Sequence, residues 1–503
     1  MTTAFVEDVL AYNRKIGHSS SKGDISLPAA RNEDEVFVIR KMLEMGYQVE
    51  PEAVRRLLEQ EGEPELVLRI LEQIIRSEPR QKGKLLVVRL RDVKPFVRPA
   101  TEPGLAETVA PAFDVLFDPT NQINPTIDAS GYVFLFRDRL ERMSSLMRNR
   151  PDFFQIEKLN AIKTPVSGKK VLAKVVGLVV SKKTSGGYMS LTLEDDTGYL
   201  RLMCTDDAIR RVEEVLIDEF VLAEVESLPR GYYARNVYHP DVPERVMNTS
   251  SQKVYAVFCS DLRMGSPDFD ALAFGRMVDW MNGDLGELEI VSRIAYFVLN
   301  GDLIENPLAR DSWLNERGVE ACYRELAGYL SRIRRNVRIF VVPGEMDATR
   351  GALPQPAIIR KYAKLLYEMK NVSMLGNPSM VKMHGVNVLL YHGQSLDEVF
   401  KQLQSASETR PTSGIRALLK ARHLAPSYGG LISLAPEKRD LLIMERVPDI
   451  IHCGHVGIAD EDVYRGTLMV STPSWTDGTK SLSRIQGRVA LVDLSTFEVL
   501  WRA

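Results

Sequence analysis

Between residues 253 and 503, seven short apolar runs alternate with segments of helical periodicity: KVYAVFCS, AYFVLNG, VRIFVVPG, VNVLLYHG, DIIHCGH, TLMVSTPS and VALVDL. Apolar runs this short, separated by amphipathic stretches, read as buried strands of a layered α/β fold. Five of the seven end directly in a polar or glycine-containing element. In α/β sheets the carboxyl ends of the strands are where functional side chains are displayed. The pattern therefore specifies an α/β sandwich for the second half of the chain and an address for its chemistry.

That address is filled in a consistent order. Asp261 follows the first run in CSDLRMGS, and Asp302 follows the second in LNGDLIE. Glu345 and Asp347 follow the third in VPGEMDATR. His392 lies in LLYHGQS, and His452 and His455 lie in IIHCGHVGI. One strand-end Asp is commonly a helix cap, and a lone strand-end histidine commonly packs or caps. Acids early and imidazoles late, each at a strand end, are the donors of a dinuclear metal centre. Two ions about 3.5–4 Å apart can clamp a phosphoryl group and activate water. Met346, between Glu345 and Asp347, fits neither task, because a thioether is a poor ligand for a hard ion and has no proton to give.

The remaining chain divides by pattern. Residues 1–78 read as a helical module, with Asn32 as an N-cap, Gly46 and Gly62 as stops, and Pro51 in a first turn. Val54, Leu57 and Leu58 form one apolar stripe, and Leu66, Ile70, Leu71 and Ile74 form another. Residues 79–130 are rich in proline and acids and read as a linker or an arm on a neighbour. Residues 131–250 open with an amphipathic helix whose basic face (Arg137, Arg139, Arg142, Arg148, Arg150) is a solvated surface or a phosphate contact. Its remainder alternates with period two and turns at TSGG and DDTG, which suggests a small barrel of the oligonucleotide-binding type. SKKTSGG is a basic turn, but no aromatic pair sits on the strands to stack bases.

The 503 residues are enough for about three domains. A net charge of -2 announces no nucleic-acid partner, so DNA binding would need a local basic face, and no DNA-binding residues are assigned. Four cysteines without CxxC pairing point to a reducing cytoplasm. The amino-terminal stretch is not expected to be a signal peptide, and no apolar run is long enough for a membrane span.

The order of elements resembles the calcineurin-like metallophosphoesterases, whose pattern is D-x-H, G-D, G-N-H-D, H and G-H-x-H. The stretches FCSDLRMGS, PGEMDATRGALPQPA, LLYHGQSLDEVF, ALLKARHLAPSYGG and YRGTLMVSTPSW, together with SGYVFLFRDRLERMSSLMRNR and LTLEDDTGYLRLM, more closely resemble the small subunits of archaeal family-D DNA polymerases. These are related to the B subunits of eukaryotic replicative polymerases. The resemblance covers roughly residues 130–500. It implies a multidomain α+β chain: helical module (1–78), linker or arm (79–130), basic helix plus barrel (131–250) and calcineurin-like phosphoesterase sandwich (251–503).

Carried over position by position, Asp261, Asp302, Asp347, His392 and His455 match the family pattern, and Glu345 stands where an Asn ligand belongs. Arg263 and Gly457 replace two histidine ligands, and Met346 replaces the catalytic histidine. The expected metal ligands are thus Asp261, Asp302, Glu345, His392 and His455, in a degenerate centre. The resemblance implies a small subunit that stabilises a large catalytic subunit, in a heterodimer or larger assembly, with DNA held as template-primer through the complex and no membrane. The alternative is a working 3′-to-5′ exonuclease using manganese or a similar divalent metal; in the first reading no cofactor is needed.

Overall fold

The computed structural model describes residues 33–61, 64–77, 87–88, 93, 108–126, 130–165, 170–186, 188–305, 316–476 and 489–502. The chain is mixed α+β and divides into two compact units, Met1–Arg98 and Pro99–Ala503.

In the first unit, α1 (Glu33–Glu44) opens on three acids, which suit the positive end of a helix dipole. β1 (Gln48–Val49) precedes α2 (Pro51–Glu61) and α3 (Pro64–Ser77), and β2 (Val87–Val88) pairs in parallel with β1. Proline at the first helical position loses only an N–H that has no intrahelical partner. Val54, Leu57 and Leu71 are fully buried. The expected cap Asn32 and the side chains of Leu66 and Ile74 lie outside the described residues.

The stretch expected to be a linker or arm supplies a strand to the second unit. β3 (Phe113–Phe117) pairs antiparallel with residues Ser379–Met383 of the carboxyl-terminal sandwich. Just before it, the Ala112 N–H donates to the Tyr296 hydroxyl at 2.9 Å, and that hydroxyl donates to the Ala112 carbonyl at 2.6 Å.

α4 (Ser130–Met147) is the helix read as basic, and the structure corrects that reading. Arg139 is 1% exposed and is paired with Asp440 at 2.7 Å. Arg142 binds Asp138 and Glu445, and Arg150 binds Asp152 and the His239 carbonyl. Of the five arginines only Arg137 and Arg148 are exposed. The acids that neutralise the helix come from distant sequence, which local charge counting does not see.

β4 (Ile156–Glu157) pairs in parallel with the long β5 (Val171–Ser185). β6 (Tyr188–Asp195), β7 (Gly198–Cys204), α5 (Asp206–Glu213), β8 (Phe220–Leu228) and β9 (Gly231–Tyr238) follow. The order β5-β6-β7-β9-β8, with β8 pairing back onto β5, closes a five-stranded barrel. Every neighbouring pair is antiparallel except β7–β9. The interior is filled by Val175, Leu191, Leu193, Leu202, Val221 and Ala223, with Ala208 and Val212 of α5 packed among them. The turns fall at the expected glycines, whereas the mixed sequence GYYARNVY of the closing strand β9 has no clean alternation. Tyr188 and Tyr199 are exposed, but they sit opposite Ser185 and Glu194 respectively, at different ends of β6. They form no stacking pair.

The sandwich runs β10 (Tyr255–Cys259), α6 (Ala271–Asn282), β11 (Ile294–Asn300), α7 (Glu316–Ser331), β12 (Arg338–Val342), β13 (Val372–Met374), β14 (Ser379–Met383), β15 (Val386–Leu390), α8 (Leu396–Gln402), α9 (Pro411–Ala421), β16 (Ile450–Gly457), β17 (Asp460–Tyr464), β18 (Thr467–Pro473), β19 (Val489–Asp493) and β20 (Val499–Arg502). Two six-stranded sheets form, ordered β13-β12-β11-β10-β19-β20 and β17-β18-β16-β15-β14-β3. Their inner faces share one core, including Phe258, Val298, Phe340, Val388, Ile450 and Val470. The alternate residues Val257, Phe297 and Ile339 pack outward against Phe274 of α6 and Leu326 of α7. Leu389, Ile451 and Met469 likewise pack against Val399 of α8 and Leu418 of α9. Because both faces of each central strand are covered, these strands read as continuous apolar runs. No helix among the described residues is long and apolar enough to cross a membrane.

Candidate metal centre

Five strand ends converge on one buried point. β10 and β11 release Asp261 and Asp302, β12 leads into the Gly344–Asp347 loop, β15 releases His392, and β16 carries His452 and His455. Asp261, Asp302 and His392 are 2%, 1% and 0% exposed. One donor atom from each lies within 4.8 Å of the other two.

The backbone at this point is unusual. Asp261, Arg263, Asp302 and His455 have φ of +53°, +51°, +51° and +66°. Non-glycine residues rarely adopt this left-handed region, and strain of about 1–3 kcal/mol per residue is typically found at functional sites. Hydrogen bonds hold the bend: the Asp261 N–H donates to the Gly301 carbonyl at 2.9 Å, and the Arg263 N–H to the Asp302 carbonyl at 3.0 Å.

Each donor is oriented by a fixed partner. His392 Nδ1 lies 2.9 Å from the Asn300 carbonyl. A carbonyl only accepts, so Nδ1 carries a proton and Nε2 points at the acids. Nε2 is buried without a hydrogen bond, although Asp302 Oδ1 stands 3.2 Å away. Asp302 Oδ1 accepts the Met346 N–H at 2.9 Å, and Oδ2 faces Arg263 at 3.3 Å. Asp261 Oδ2 accepts the His455 N–H at 2.9 Å. Burial opposes charge on all three groups. It pushes Asp261 up, but the His392 and Arg263 charges hold Asp302 well below the usual carboxylate range. Burial also disfavours the His392 imidazolium, yet the Asp302 and Asp261 carboxylates override it and lift the group to about 9.

Glycines leave the room between these donors. A Cβ on Gly344 would lie 2.3 Å from Asp302 Oδ1 and 2.7 Å from His392 Nε2. A Cβ on Gly454 would lie 2.5 Å from Asp261 Oδ2. A buried imidazole nitrogen with no hydrogen bond, facing only a carboxylate oxygen, two buried carboxylates and a glycine-walled space fit one divalent cation. They do not make two complete ligand sets.

The other expected residues stand differently. Glu345 is exposed on the outer flank of its loop, outside the buried trio. Met346 meets the centre through its N–H. Asp347 turns away: it accepts from the Gly344 N–H at 2.8 Å and the Tyr323 hydroxyl at 2.9 Å. Burial and the nearby Asp302 push it up to about 6. His455 sits at the rim, its ring centre 5.4 Å from that of His392 and its Nε2 3.1 Å from Asp397 Oδ2. Its Nδ1 is buried without a partner. Gly457 holds φ at +73°, where a histidine would be strained.

Sequence reasoning assigned no role to the polar layer beneath. Asn300 Nδ2 donates to the carbonyls of Tyr391 and His452, at 3.1 and 2.9 Å. Gln355 donates to the Gly344 carbonyl at 3.0 Å and accepts from Asn377 and Gln394, while Asn377 Oδ1 accepts the His392 N–H at 3.1 Å. Gln355 and Gln394 lie inside stretches that carried the family resemblance, LPQPA and YHGQS, which was the available signal.

His452 lies in this layer, with Nε2 2.9 Å from the Thr472 hydroxyl. Burial, reinforced by His392, lowers its pKa from 6.5 to about 3. The folded state therefore resists a proton that the unfolded chain accepts. The stabilisation is present above pH 6.5 and is lost as pH falls toward 3, at about 1.4 kcal/mol per unit. His392 has the opposite sign: its stabilisation is present below 6.5 and is lost as pH rises through about 9. Urea denaturation should therefore show the stability gap between the parent chain and His452→Asn narrowing by about 2 kcal/mol from about pH 7 to pH 5. A gap independent of pH would contradict this account of His452.

Residues 256–457 match the family model for the B subunits of DNA polymerases alpha and epsilon. The DNA polymerase II small subunit of Archaeoglobus fulgidus is 31% identical over 489 residues, covering 92% of this chain and 96% of that protein. The chain belongs to the archaeal DNA polymerase II small-subunit family. Members from Pyrococcus furiosus and Pyrococcus horikoshii are 31% and 32% identical, over 77% and 74% of this chain. The matches span 68% and 62% of those two longer relatives. Solved structures similar to half of the chain include an archaeal phosphodiesterase (12% identity, TM-score 0.26, 99% of that chain) and vacuolar protein sorting 29 of Cryptosporidium parvum (11%, TM-score 0.24, 96%).

Proposed function

We propose that this small subunit is nuclease-silent and serves to hold and stabilise a large catalytic subunit of an archaeal replicative polymerase. The carrying observation is the inward face of the Gly344–Asp347 loop. Only the Met346 N–H reaches Asp302 there, and no side chain on the loop is placed to protonate a leaving oxygen. Loss of a general acid typically costs about 10²–10⁴ in rate.

A divalent ion in the centre would be held by Asp261, Asp302 and His392 and would supply charge to a phosphoryl oxygen. The chain's own residues do the rest. Asn300 orients His392, the Gln355–Asn377–Gln394 amides hold the loop, and Asp347 fastens it to Tyr323 and Leu303. All of this fixes geometry, and none of it moves a proton to substrate.

We read the barrel as the oligonucleotide-binding type, from its strand order and the helix between β7 and β8. It serves here as a protein-docking surface, and DNA is held through the complex. The assembly is a heterodimer or larger, in the cytoplasm.

The test uses the full chain with manganese, alone and mixed with the large subunit. Co-elution with the large subunit and no nucleotide release from a labelled 3′ end are expected. Release that disappears in Asp302→Ala would overturn the silent reading, and failure to co-elute would overturn the partner.

A further inference from the structure

We infer that Arg263 is a tethered cation standing in for a second metal ion, so that this centre takes one divalent cation where a dinuclear site would take two. The inference rests on the nuclease-silent reading and explains which positive charge faces Asp302 in place of a second ion.

Asp302 is the acid that faces both sides of the centre, and its two oxygens have different occupants. Oδ1 faces His392 Nε2 at 3.2 Å. Oδ2 faces the Arg263 guanidinium at 3.3 Å, and Glu305 lies 3.9 Å from the other end of that guanidinium. One side of Asp302 thus remains a metal position, and the other already carries a positive charge. A guanidinium stays protonated, does not diffuse away and spreads donors in a plane suited to carboxylates. It cannot acidify a water, so the side it fills is electrostatically satisfied and chemically inert.

The placement is enforced. Arg263 holds φ at +51°, where arginine has no special tolerance. Its N–H is bonded to the Asp302 carbonyl, and the next residue, Met264, is bonded to Leu303. The open side has its own support: His455 Nδ1 is buried without a hydrogen bond, and its ring lies 5.4 Å from that of His392, whose Nε2 has only Asp302 Oδ1 before it. Asp261 Oδ2 is already aimed by the His455 N–H.

The test is metal stoichiometry. The purified chain is equilibrated with manganese, dialysed, and measured by elemental analysis and thermal unfolding. One ion per chain and a higher Tm with manganese are expected. The ratio of one should hold when Arg263 is replaced, because Gly457 and the exposed Glu345 still leave the second position short of ligands. Arg263→Gln should keep it at one with about tenfold tighter binding, because a competing positive charge is gone. A merely structural arginine would not tighten binding when removed. No ion or two ions in the parent chain, or unchanged affinity in Arg263→Gln, would overturn the inference. The exonuclease assay on the same samples separates the readings. Two ions with nucleotide release removes both, whereas two ions without release removes only the role of Arg263.

Discussion

Arg139→Ala is expected to cost about 3–5 kcal/mol of folding stability, the typical penalty for stranding a buried charge. Arg139 Nε donates to Asp440 Oδ2 at 2.7 Å, and its Nη1 donates to the carbonyls of Pro426 and Asp218 at 2.6 and 3.1 Å. One side chain thereby ties α4 to the sandwich and to the barrel loop at Asp218. His423 completes the cluster. Its Nδ1 accepts the Ala425 N–H at 3.1 Å, so Nε2 donates to Asp440 at 2.9 Å. Against the cost of burial, His423 and Arg139 hold Asp440 far below the usual carboxylate range. Removing the guanidinium leaves that carboxylate with too little compensation. Replacing both partners, as Arg139→Met with Asp440→Leu, should recover part of the loss, because no buried charge then remains, although the His423 Nε2–H loses its acceptor. Urea denaturation midpoints would show it. A single-mutant loss below about 1 kcal/mol would put this pair in the class of exposed ion pairs.

Gly344→Ala is expected to abolish divalent-metal binding and to destabilise the chain by about 1–3 kcal/mol, the usual range for overpacking. The added methyl would stand in the space between Asp302 Oδ1 and His392 Nε2. It would also press on the Asp302 backbone nitrogen at 2.4 Å, so a rotamer change alone cannot relieve it. Gly351→Ala, in the same loop region, meets nothing within 4 Å and serves as the control. Calorimetric titration with manganese reads the effect. Unchanged metal binding in Gly344→Ala would mean that the ion does not sit between these two donors.

How much was legible in the sequence follows from the range of the interactions involved. The sandwich strands were visible because burial on both faces leaves apolar runs. The trio Asp261, Asp302 and His392 was visible because each stands at a strand end, a local property. Glu345 illustrates the limit: its position in the loop was right, but the loop turns its backbone, not that carboxylate, toward the centre. Arg139 illustrates another, since its partner lies 301 positions away in sequence. Nothing within a helical turn distinguishes it from the exposed Arg137. The amide layer under His392 shows no local pattern for the same reason, its members coming from the end of β11 and three separate loops, and only the family resemblance marks Gln355 and Gln394.

β3 also has a consequence for where this domain can be said to start. The first strand of the sandwich in sequence order is at position 255, yet the outer flank of its second sheet is covered by residues 113–117, on the far side of the barrel in the chain. Without them β14 would present a bare row of backbone donors and acceptors, a template for strand addition by another copy. The segment before the barrel is therefore a selvage for the domain after it. The barrel is an insertion between a sheet's border and its body, and a chain cut at residue 250 would leave with an unfinished edge.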